Sequence, residues 1–154
     1  MVHPWLERAT AYCWHTLPKQ REALRPDDAI AVLTFLAHVP DREVAGAEFG
    51  RLGQHILAKL VALDPGTPGY VKSPLDFAPQ PGSLARQLFD GPTIERHLDA
   101  LAARQEADGG WPISWEPPSP AAVHEWRAYM TIKWLTVLKS YDRDLGQAWI
   151  ESNR

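Results

Sequence analysis

The side chains with the most chemical potential crowd into one stretch: Asp108, Trp111, Trp115, His124, Glu125, Trp126, Arg127 and Tyr129. Glu125 is a candidate general acid, provided burial desolvates it. The rings of Trp111, Trp115, Trp126 and Tyr129 can hold apolar or cationic groups against their faces. The same residues also have a structural use: Glu125 and Arg127 can satisfy loop backbone while the tryptophans fill a core. Other reaction signatures are missing. His3, His15, His38, His55, His97 and His124 show no His-x-x-x-His or His-Glu-x-x-His spacing, so no metal is expected. Glu95 and Asp99 lie one helical turn apart around His97 and read as a solvated face. Neither a Gly-x-Ser-x-Gly elbow, nor a phosphate loop, nor a dinucleotide fingerprint occurs, and no cofactor is expected.

The elements that must carry this stretch follow from the punctuation of the chain. Its 154 residues include 14 Pro and 10 Gly, and most apolar blocks between them have helical spacing. Trp5, Ala9, Tyr12, Cys13 and Leu17 form a stripe in a first helix that Pro18 is expected to end. A second follows Pro26, with Asp27 or Asp28 available to cap it. From Ala29 to Ala37 its one polar residue is Thr34, so it is expected to be interior. A third starts at a cap on Asp41 and continues to about Leu63. Phe49, Leu52, Ile56, Leu60 and Leu63 line its buried face, and Glu43, Glu48, Arg51 and Lys59 lie mostly elsewhere.

Residues 64–92 form a Pro-rich crossing, with a short helix capped by Ser83 that buries Leu84, Leu88 and Phe89. It reads either as an ordered surface crossing or as a lid over a cavity. A fifth helix, Thr93 to Glu106, turns Ile94, Leu98, Leu101, Ala102 and Gln105 to one side. The last long helix, Ala121 to Tyr141, carries two apolar stripes. One contains Val123, Trp126, Met130, Trp134, Val137, Leu138 and Tyr141; the other contains Tyr129, Ile132 and Leu135. It is therefore expected to be largely surrounded. A weaker tail segment holds Leu145, Trp149 and Ile150.

No block alternates as a strand does, and the alternation of peripheral and interior helices predicts an all-α fold of antiparallel hairpins in a single domain, 1–154. A net charge of −3 predicts no nucleic-acid partner. With 45% hydrophobic and 23% charged residues, the composition is that of a folded globular chain. The single cysteine excludes an internal disulfide. Without a spanning apolar run or a secretory leader, the chain is expected to be cytoplasmic with no transmembrane segment.

Gln105-Glu106-Ala107-Asp108-Gly109-Gly110-Trp111 fits the Gln-x-x-x-Gly-x-Trp repeat, the QW motif, and so resembles the terpenoid-cyclase and protein-prenyltransferase α/α toroids. The continuation through Trp115, Glu125-Trp126-Arg127, Thr131, Leu135, Leu138 and Tyr141 is similar to bacterial proteins of the prenyltransferase and squalene-cyclase repeat superfamily, as is Gly69 to Phe77. The resemblance implies part of an α/α toroid, a C-terminal half or a half-ring completed by a second copy. In these families the repeat joins helices and is not catalytic, and inner-helix ends border a central cavity. Two departures stand out: only Asp27-Asp28 approaches the Asp-x-Asp-Asp acid of the cyclases, and Cys13 lacks the Asp and His partners of the prenyltransferase zinc.

The resemblance therefore implies first a non-catalytic module. It would bind an apolar or isoprenoid-like molecule, or a second chain, through Trp111, Trp115, His124, Trp126, Arg127 and Tyr129. Its alternative is an isoprenoid-processing enzyme with Asp108 or Glu125 as acid and the tryptophans as π-faces.

Overall fold

The computed structural model describes residues 3–69 and 71–143. It is all-α, with six α-helices and no strand among the described residues. The chain forms two compact units, one ending at Val61 and the other beginning at Ala62. The tail segment with Leu145, Trp149 and Ile150 lies outside the described residues, as does Tyr70.

In the first unit, α1 spans Pro4–Gln20, and His3 Nδ1 accepts from the Trp5 N–H at 3.1 Å. Pro18 does not end this helix. It lies in the last turn, where it forfeits the bond to the Trp14 carbonyl, and the chain tightens into a 3₁₀ turn at Arg21–Ala23. The expected stripe is also rotated away from the core. Leu17 is buried, but Trp5 is 62% and Tyr12 68% exposed, because α1 instead turns Trp14 edge-on to Phe35, with ring centroids 5.0 Å apart.

Helix α2, Pro26–His38, buries Ala29, Leu33 and Leu36 but leaves Ala31 and Ala37 exposed; only one side of this apolar helix is covered. Its start is fixed by Asp28, which accepts from the Arg25 N–H at 3.2 Å. Helix α3, Arg42–His55, begins as expected: Asp41 Oδ1 accepts from the Val44 N–H at 3.1 Å. It stops earlier than the periodicity predicts. A π-helical turn, Ile56–Leu60, closed by the Val61 N–H on the Ile56 carbonyl at 3.2 Å, takes over and leaves Leu63 exposed. Glu48, expected off the buried face, is inside. Arg21 clasps it with Nε–Oε1 at 2.5 Å and Nη2–Oε2 at 2.8 Å, and Arg51 adds a contact at 3.3 Å.

The second unit makes core out of the Pro-rich crossing. Ser73 and Asp76 open α4, Pro74–Phe77, where the Ser73 N–H and hydroxyl both reach Asp76 Oδ2, at 2.8 and 3.0 Å. Leu75, Phe77 and Ala78 are buried, and a 3₁₀ turn at Leu84–Leu88 adds Ala85, with Phe89 just after it. The crossing is thus an ordered, packed strap. Helix α5, Gly91–Ala103, is clearly two-sided, with Thr93, Ile94, His97, Leu98 and Leu101 inside.

Helix α6, Pro120–Ser140, is not surrounded: Val137 and Leu138 are buried, while Tyr129 and Ile132 of the second stripe stand exposed. Its C-terminal end is moored to the strap. The Tyr141 hydroxyl donates to the Ala78 carbonyl and Ser140 to the Pro79 carbonyl, each at 2.8 Å. Lys133 reaches Asp76 and lies 4.2 Å from the centroid of the Trp134 ring. Among the described residues, no helix is long and apolar enough to cross a membrane.

Candidate functional site: the corner after α5 and the face of α6

Past α5 the chain must turn and reach α6, and the residues of the Gln-x-x-x-Gly-x-Trp segment build that corner. Gly109 takes φ +83°, where a side chain would be strained, and the Gln105 amide donates to its carbonyl at 2.9 Å. The Glu106 N–H closes the loop on the Gly110 carbonyl at 2.9 Å. A Cβ at Gly110 would lie 2.7 Å from an Arg127 nitrogen, so any side chain there would push the guanidinium aside.

Trp111 is 1% exposed and donates its indole N–H to the Leu101 carbonyl, in the last turn of α5, at 2.8 Å. Its backbone N–H meets the Thr131 hydroxyl of α6 at 3.2 Å. The ring expected to face a ligand instead fastens the end of α5 to α6.

Arg127 is equally committed. It donates Nη1 to Asp108 Oδ2 at 2.6 Å and Nη2 to Oδ1 at 2.5 Å, and it also reaches Glu106. The Asp108 carboxyl is pulled down from its ordinary 3.8 to about 2, chiefly by the Arg127 hydrogen bonds and next by the Gly110 N–H. Asp108 is therefore a carboxylate across the neutral range and has no proton to give. The same bonds hold the Arg127 proton more firmly than usual. Glu125 and His124 stand exposed on the first turns of α6, so burial does not supply the desolvation that an acid at Glu125 would require.

The remaining candidates form one aromatic row. Trp115 meets Trp126 edge-to-face at 5.4 Å, and Trp126 meets Tyr129 in the same way at 5.8 Å. Trp126 is 43% and Tyr129 58% exposed, and Ile132, 67% exposed, extends the row along α6. Ile132, expected on a covered stripe, stands in water, because periodicity shows that a residue is apolar and not whether anything covers it. Glu106 and Lys133 were missed as fastening residues. The available signals were a carboxylate beside the corner motif and a lone cation inside the apolar run of α6.

The Glu95 and Asp99 pair, read as a solvated face, clasps Arg143. His97, on the other side of α5, is buried, and its Nε2–H donates to the Leu63 carbonyl at 3.1 Å; burial lowers its proton affinity below the ordinary 6.5. No group of acidic, His or Cys side chains among the described residues is placed to hold a metal.

Two acid steps follow for the second unit. An unfolded chain protonates His97 first, so stability is full above pH 6.5 and declines as pH falls below it. The Asp108 contribution is full above pH 3.8 and is lost as pH falls toward about 2. Melting temperatures between about pH 2 and pH 8 should lose the first slope in His97→Gln and the second in Asp108→Asn. Identical profiles in both variants and the parent would contradict these assignments. Comparison of the chain with protein-family models, curated proteins and solved structures finds no match.

Proposed function

We propose that this chain is a non-catalytic helical interaction module of the α/α-toroid kind, whose partner is a second copy of itself docked on the open side of α6. The observation that carries the reading is the exposed row Trp126, Tyr129 and Ile132, braced by Trp115. Rigid aromatic rings half out of water are the side chains that dominate association between proteins. A small apolar molecule needs a concave site, whereas an exposed helix side suits another polypeptide surface. The toroid reading draws support from the corner, where Gln105, Gly109 and Trp111 join two helices as that repeat does. The non-catalytic reading draws support from the carboxylates: Asp108 is neutralised by Arg127, and Glu125 stands in water.

Sedimentation equilibrium from about 1 to 100 μM should show a monomer–dimer equilibrium. The double variant Trp126→Ala/Tyr129→Ala should weaken it by about 100-fold or more while leaving the melting temperature nearly unchanged at a concentration where the parent is monomeric. A parent chain that stays monomeric throughout, or a double variant that dimerises as the parent does, would overturn the reading.

A further inference from the structure

Within the first unit, α1 and the end of α2 enclose a groove of about 570 Å³. Its walls are apolar: Leu6, Ala11, Trp14, Phe35, Val39 and Pro40. That volume lies in the range of small-molecule sites, which combine an apolar lining with a few polar groups that fix the ligand. The polar groups here are Glu7, Thr10 and His38, and no lysine or arginine lines the groove. The nearby Arg42 directs Nη1 to the Leu36 and Val39 carbonyls, at 2.8 and 3.2 Å.

All three polar groups can accept a hydrogen bond. Glu7 and Thr10 have no side-chain partner among the described residues, and they sit one turn apart on α1. His38 Nδ1 lies 2.7 Å from the Thr34 carbonyl; it must carry the proton of that bond, which leaves Nε2 of the neutral ring as an acceptor. An apolar slot with acceptors and one negative charge complements a donor-rich cation on an apolar body. An alcohol would leave the charge unanswered, and a carboxylate would repel it.

We propose that this groove binds a small organic ammonium, with its apolar chain or ring packed along Trp14 and Phe35 and its N–H groups held by Glu7. Thr10 and the His38 Nε2 supply further acceptors, and the site is separate from the aromatic row of α6. Octylamine, octanol and octanoate are suitable probes, since they share a chain and differ in the head. Titration calorimetry on the full chain should give saturable binding of octylamine, weaker binding of octanol, and none of octanoate.

Glu7→Gln changes an exposed side chain and leaves the fold intact. It should weaken octylamine binding about tenfold and remove its advantage over octanol. Ala11→Phe, which fills the groove, should abolish binding of both, with a melting curve verifying that the variant is folded. The proposal fails if octylamine does not saturate, if octanoate binds as well, if Glu7→Gln leaves the preference unchanged, or if folded Ala11→Phe still binds.

Discussion

Arg21→Met is expected to destabilise the first unit by about 3–5 kcal/mol. The side chain of Glu48 is 5% exposed, against 21% for Arg21. Removing the arginine therefore strands a carboxylate in the interior, with only the 3.3 Å contact from the largely exposed Arg51 remaining. Glu48→Met should cost less, because the abandoned guanidinium keeps a path to water. The double variant Arg21→Met/Glu48→Met should cost less than Arg21→Met alone, since no buried charge is left behind. Urea unfolding of the three variants measures this directly. Equal, additive losses would mean that the bidentate contact is not a coupled pair.

Trp111→Ala should be comparably severe in the second unit, at about 3–5 kcal/mol. It empties the space of the largest fully buried side chain and leaves the Leu101 carbonyl without the indole donor at the end of α5. Trp111→Phe keeps most of the ring and loses chiefly that bond, for about 1–3 kcal/mol. Trp126→Ala provides the contrast. The side chain is of the same type fifteen residues later, but it is 43% exposed, and its loss should barely move the unfolding midpoint. If Trp111→Ala unfolds no more easily than Trp126→Ala, the corner does not hold α5 to α6.

The corner was legible in the sequence because its chemistry is local. The resemblance to the Gln-x-x-x-Gly-x-Trp repeat implies a segment that joins helices, and Gln105, Gly109 and Trp111 take those parts, although Trp111 was also expected to face a ligand. The Asp41 cap and the buried face of α5 at Ile94, Leu98 and Leu101 were legible for the same reason.

What escaped depends on partners distant in the chain. Glu48 looks like a surface residue until Arg21, 27 positions away, is brought to it. The Lys133 contact to Asp76 spans 57 residues. Exposure on α6 and on α1 was misjudged because an apolar stripe specifies a surface that needs covering, and not the element that covers it. Within this chain, nothing described covers Trp126, Tyr129 and Ile132 well enough to bury them.

Hydroxyl-radical footprinting of the full chain at rising protein concentration tests that division of labour most directly. Trp5 and Tyr12, 62% and 68% exposed on α1, serve as internal references of the same side-chain types. Oxidation of Trp126 and Tyr129 is expected to fall as concentration rises while Trp5 and Tyr12 keep their rates. Trp126 and Tyr129 oxidising equally fast at every concentration would contradict it.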